Sequence, residues 1–148
     1  MTDPIVREGG CRCDKVRFRT TAPEMTTMAC HCTGCQRMTA SAFSLSAMFP
    51  ADAFEVTGET AIGGLHGPLR QHHCVHCLGW VYTTGDMFGD LVIVRATLFD
   101  DTSWIEPFIE TCTDERLPWI SLPAQFSFPG FPPMERMPEL LEAYAARQ

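Results

Sequence analysis

A chain of 148 residues with 45% hydrophobic and 20% charged residues has the size of one domain and the apolar content for a core, which excludes a disordered segment. Its net charge of −7, with basic residues scattered singly, excludes a surface that tracks nucleic-acid phosphates, and no run reaches the ~18 apolar residues of a membrane span. The start, Met1-Thr-Asp-Pro, lacks the basic and apolar regions of a secretory signal, so a reducing cytoplasmic setting is expected, in which the eight cysteines serve metal rather than disulfides.

Apolar–polar alternation at Val16, Phe18 and Thr20 predicts a first strand, Phe43 to Phe49 a second, and Phe54 with Val56 a third. The run Leu91 to Thr97 and the segment Phe108 to Cys112 read as further strands. Gly85-Asp86 and Gly89-Asp90 flank a tight reversal between strands near Trp80 and Leu91, while Gly58, Gly63-Gly64 and Gly67-Pro68 mark other turns. A mostly β, antiparallel domain over residues 1–148 follows. From Pro118 to Pro138, prolines at 118, 123, 129, 132, 133 and 138 predict an irregular segment laid over the sheet. Its Phe126, Phe128 and Phe131 cover core strands, or alternatively roof a pocket. The one long helix is C-terminal, with Pro138 in its first turn and Leu140, Leu141 and Tyr144 on an apolar face.

The cysteines group as Cys11-x-Cys13, Cys30-x-Cys32-x-x-Cys35, Cys74-x-x-Cys77 and a lone Cys112. Tetrahedral zinc with Zn–S bonds of about 2.3 Å needs thiolates about 3.8 Å apart, which short cysteine pairs on loops supply. Cys11, Cys13, Cys74 and Cys77 make a closed, structural four-thiolate centre. Cys30, Cys32 and Cys35 then form a second, catalytic zinc site with one tetrahedral position left for water or substrate. The opposite partition, in which the triplet borrows from a pair, strands a cysteine. Iron is the competing metal, but the ferredoxin spacings are absent. Cys112 is read as a small buried hydrophobe, with a fourth ligand to the triplet as the alternative. His31, between two ligands, is a candidate for contact with a ligand or substrate. His72, His73 and His76 offer a mixed Cys/His variant of the closed site. Arg37 is a candidate clamp for a substrate carboxylate, against a plain surface salt bridge.

The segments Gly9-Gly-Cys-Arg-Cys, Val16-Arg-Phe, Cys30-His-Cys-Thr-Gly-Cys-Gln-Arg, Ser41-Ala-Phe-Ser and Cys74-Val-His-Cys carry a resemblance. From about residue 9 to Trp119 the chain is similar to the glutathione-dependent formaldehyde-activating enzyme family, which includes centromere protein V. The resemblance implies a β-tent fold of several small coiled antiparallel sheets around a structural zinc, here held by Cys11, Cys13, Cys74 and Cys77. It also implies a second zinc at Cys30, Cys32 and Cys35, displaced or bridged by glutathione as that thiol condenses with formaldehyde. Three departures are visible. Leu78 and Ala40 stand where the family favours glycine, and Ala96-Thr-Leu-Phe-Asp-Asp replaces a shorter Gly-Thr-Leu-Asp-Asp pattern.

These readings converge on a zinc-dependent carbon–sulfur lyase-type enzyme that joins a thiol such as glutathione to formaldehyde or another small aldehyde, or reverses that step. The rival is a non-catalytic zinc module that binds a protein, and a triplet sealed by Cys112 would favour it.

Overall fold

The computed structural model describes residues 3–147. Strands β1 (Arg7–Gly10) and β2 (Arg17–Thr20) form an antiparallel hairpin, and β5 (Phe54–Thr57) adds to β2 to complete a three-stranded sheet. Gly9 is required there by close approach, because a Cβ at that position would lie 2.3 Å from the Leu98 carbonyl oxygen. The second sheet contains β3 (Thr26–Cys30), β4 (Ser44–Pro50), β6 (Thr60–Gly63), β7 (Leu69–Cys74), β8 (Trp80–Gly85), β9 (Leu91–Arg95), β10 (Ile109–Thr111) and β11 (Phe126–Ser127). Its order is β11-β10-β3-β4-β9-β8-β7-β6, and neither sheet closes on itself. The resemblance implies several small sheets; here the ladders join into two.

The main core lies where the hairpin meets the larger sheet. Val16 and Phe18 pack with Ala47 and Phe49 of β4, Val92 and Val94 of β9, and Phe99. The Phe18 and Phe99 rings meet edge-on at 5.0 Å, and Phe49 is 0% exposed. Burial of such a ring contributes about 1.5–3 kcal/mol.

The predicted reversal after Trp80 is present, with a 3-10 turn at Asp86–Phe88 and Gly89 at φ +57°. Two expectations are corrected. The strand read as Leu91 to Thr97 stops at Arg95, and residues Ala96–Leu98 turn in a 3-10 helix. The sheet is not wholly antiparallel, since β10 pairs parallel with both β3 and β11. Such a pairing needs a long crossover, here the connection from β9, and it is silent in local periodicity. A short helix, α1 (Thr33–Thr39), also precedes β4.

The C-terminal helix α2 (Met137–Ala146) has proline in its first turn, as expected. A helix of this length is marginal alone, so packing holds it: Leu140 and Tyr144 join Phe108, Ile109 and Phe128 in a second core. The Tyr144 hydroxyl donates to Glu24 Oε1 at 2.9 Å, and Arg7 donates to Glu24 Oε2, also at 2.9 Å. The proline-rich segment is laced to β10, with the Phe128 N–H donating to Glu110 O at 2.9 Å and the Cys112 N–H to Gly130 O at 2.9 Å. Phe128 and Phe126 serve packing, whereas Phe131 is 72% exposed. Among the described residues, no helix is long and apolar enough to cross a membrane.

Candidate metal centres

The first centre is made by two turns. Cys11 and Cys13 sit in the β1–β2 turn, where the Cys11 N–H donates to Val16 O and Asp14 adopts φ +62°. Cys74 ends β7 and Cys77 lies in the turn to β8, closed by the Leu78 N–H donating to Cys74 O at 2.9 Å. That turn holds Leu78 at φ +59°, the region that favours glycine, the residue the family favours at this position.

All four sulfurs lie within 4.8 Å of one another, with Cys11–Cys13 at 3.5 Å and Cys13–Cys74 at 3.7 Å. These separations match the edge of a tetrahedral four-thiolate site. Backbone N–H groups of Val16 and His76 point at the sulfurs of Cys11 and Cys74, each at 3.4 Å. The N–H groups of Cys77 and, secondarily, His76 lower the Cys74 thiol below its ordinary value against the opposing effect of burial. Such donors favour thiolates, so the donor set fits zinc. All eight cysteines are free.

The neighbouring histidines are engaged elsewhere. His72 Nε2 is 2.9 Å from Thr84 Oγ1, with its ring stacked on Tyr82 at 4.2 Å. His73 Nδ1 donates to Gln71 O at 3.1 Å. His76 lends its backbone N–H, and no histidine belongs to the sulfur cluster.

The second centre is built where β3 runs into α1. Cys30 closes the strand, Cys32 is the N-cap of the helix, and Cys35 lies in its first turn and donates its N–H to Cys32 Sγ at 3.3 Å. A sulfur that caps a helix is anchored by the same hydrogen bond that starts the helix. Gln36 holds the turn by donating to His31 O at 2.8 Å, and Glu115 accepts from Thr33 N and Oγ1, both at 3.1 Å. The helix ends at Ala40 in the left-handed region, φ +50°, the second departure from glycine.

The three sulfurs lie within 4.8 Å of one another and all three residues are half-buried. The Cys35 thiol hydrogen-bonds to Cys30 and, despite burial, brings Cys30 down to about 5; the same contact, with burial, pushes Cys35 up. The set fits a metal with three protein ligands. Cys112 stands outside this group in the left-handed region, φ +56°, and is 5% exposed. Burial first, and the proximity of Cys30 second, push its thiol up to about 12.

His31 is 0% exposed, and its Nε2 lies 2.9 Å from Glu110 Oε1. Burial would raise the Glu110 carboxyl, but hydrogen bonds from Ser127 Oγ at 2.7 Å and from His31 hold it below the ordinary range. Arg37 projects from the last turn of α1, exposed, and forms no ion pair among the described residues.

Arg95 is the residue that periodicity missed. It ends β9, is 8% exposed, and lies close enough to Cys35 and Cys30 to feel their charge. An arginine closing an otherwise apolar run, Leu91-Val-Ile-Val, was the available signal. A surface concavity lined by Arg7, Glu8, Asp100, Asp101 and Trp104 includes no cysteine.

Among curated proteins nothing matches the chain. A crystal structure of a Rhodobacter sphaeroides protein is similar at 12% identity, with a TM-score of 0.49 over 82% of this chain and 98% of its own. The family profile described as glutathione-dependent formaldehyde-activating enzyme matches residues 6–115. That span holds both sulfur clusters, and by it the chain belongs to the glutathione-dependent formaldehyde-activating enzyme family.

Proposed function

We propose that the chain is a zinc-dependent carbon–sulfur lyase of its family, joining the thiol of glutathione or a similar molecule to formaldehyde or another small aldehyde, and reversing that addition. One observation carries the reading: three sulfurs converge at the head of α1 with no fourth in their cluster, whereas the other centre has four. Cys11, Cys13, Cys74 and Cys77 would hold a structural zinc within a β-tent architecture, and Cys30, Cys32 and Cys35 would hold the catalytic one. At the triplet, a bound zinc would supply a Lewis-acidic position where a substrate thiol is favoured as its thiolate at neutral pH.

The protein's part is to fix three donors and leave the fourth direction open. In the addition, the thiol sulfur bonds to the carbonyl carbon, the C=O π pair moves to oxygen, and the thiol proton reaches that oxygen through solvent. Exposed Arg37, with no carboxylate partner among the described residues, is assigned to steady a carboxylate of the thiol substrate. His31 is assigned to bracing the ligand loop through Glu110 rather than to the substrate, a role its burial supports. Eight free cysteines accord with a cytoplasmic setting.

Exchange spectroscopy by NMR tests the reading, with glutathione, formaldehyde and their hemithioacetal at equilibrium. The protein is expected to accelerate exchange over protein-free buffer, and Cys32→Ser to lose the acceleration. Rates unchanged across several thiols and aldehydes would refute it in favour of a non-catalytic zinc module.

A further inference from the structure

One face of the larger sheet carries both a buried charge and the first cysteine of the triplet. Cys30 pairs with Ser44 across β3 and β4, and Ser46 pairs with Arg95 across β4 and β9. Side chains alternate with a period of two, so Cys30, Ser44, Ser46 and Arg95 share that face. Ser44 also lies close enough to Cys35 to lower its thiol, which brings α1 onto the same strip.

Arg95 is 8% exposed, its Nε is buried without a hydrogen-bond partner, and among the described residues it forms no ion pair with a carboxylate. Its guanidinium carbon lies 3.7 Å from the centroid of the Trp80 ring, and that indole is fixed by its Nε1–H donating to Thr83 Oγ1 at 3.0 Å. Cation–π contact offsets part of the cost of burial, but an unpaired buried cation still requires an anion. Burial pulls Arg95 down to about 10, which leaves it charged at neutral pH, and the groups of the triplet that act on that charge are Cys35 and Cys30.

We propose that Arg95 determines the specificity of the triplet site, its fixed charge making the fourth position favour an anionic sulfur over a neutral ligand. The inference rests on the reading of the triplet as a thiol-binding site. Three thiolates and a divalent cation sum to one negative charge, and a fourth thiolate brings a second into half-buried surroundings. A guanidinium fixed on the same face of the sheet compensates the added charge, while a neutral ligand such as imidazole gains nothing from it. Arginine suits the place because it stays charged when buried and stacks flat on an indole.

The test uses the full chain substituted with cobalt and titrated with mercaptoethanol, glutathione and imidazole, read by the cobalt absorption bands. Arg95→Gln is expected to weaken both thiols by about tenfold or more and to leave imidazole within about twofold, while Arg95→Lys regains most of the thiol affinity. Arg95→Met, uncharged and similar in length, gives the same split if the glutamine variant does not fold. Equal losses for thiols and imidazole, or a lysine variant no better than glutamine, would overturn the inference. So would a loss confined to glutathione, which would assign Arg95 to a substrate carboxylate. Thiol binding indifferent to Arg95 removes this inference alone; a wild-type protein that binds no thiol removes the thiol-site reading with it.

Discussion

Replacing one cysteine in each cluster should separate a fold-determining centre from a reactive one. Cys74 is 0% exposed and packs in the main core with Val16 and Phe18, and its cluster joins the β1–β2 turn to the β7–β8 turn. Structural zinc contributes on the order of 10 kcal/mol in small metal domains, and a domain's whole stability is roughly 5–15 kcal/mol. Even partial loss of that contribution in Cys74→Ser is therefore comparable with the total, and most of the protein should be unfolded at 25 °C. Cys35 is half-buried in a cluster that spans only residues 30 to 35 and closes no long loop. Cys35→Ser should cost about 1–2 kcal/mol, a shift of a few degrees. Circular-dichroism melts with zinc determined on the same samples make the measurement. Equal collapse of both variants, or a Cys74→Ser melt near the wild type, would refute the division of labour.

Elemental analysis of protein prepared without chelator is expected to give up to two zinc per chain, and iron as the main metal would contradict the donor-set argument. Leu78→Gly and Ala40→Gly relieve left-handed conformations that cost a non-glycine residue about 1–2 kcal/mol, so each should raise stability by about 0.5–1 kcal/mol after the entropy that glycine adds to the unfolded chain, checked by denaturant midpoints. Burial, then Glu24, raises the Tyr144 hydroxyl to about 12. A raised folded-state value stabilises fully below the unfolded value of about 10 and is lost as pH climbs to about 12, on the order of 2–3 kcal/mol. Tyr144→Phe should therefore be less stable at neutral pH yet lose less between pH 10 and 12, as urea titrations would report.

The strands legible in sequence were those with apolar residues at strand spacing or in a short run: Phe18 alternates with Arg17 and Arg19 in β2, whereas β4 around Phe49 and β9 around Val92 are buried on both faces and read as apolar stretches. β10 was read almost to its ends, but its parallel partner was invisible, because pairing across a crossover leaves no local trace. Helix α1 escaped notice since its seven residues have no buried apolar stripe; a cysteine sulfur caps it and Glu115 steadies its start. The cysteine clusters were legible because a metal's coordination geometry dictates ligand spacing directly. Arg95 was not, since only the sheet's order brings it onto the face that carries Cys30.

The parallel pairing of β3 with β10 also sets an order of assembly on the ribosome. The four-sulfur centre needs the chain only as far as Cys77, so it has all its ligands while the C-terminal half is still being made. The strand that ends in Cys30 waits for Ile109–Thr111, 81 residues after Met28, the partner of Ile109. At about 5–20 residues per second, the edge beside Cys30 stays unpaired for roughly 4–16 s after the strand is synthesised. Thiols of the three-sulfur cluster thus precede the wall that shelters them. A nascent chain has all four sulfurs of the first cluster in hand early, and completes the surroundings of the other three only when the segment bearing Glu110, Cys112 and Glu115 arrives.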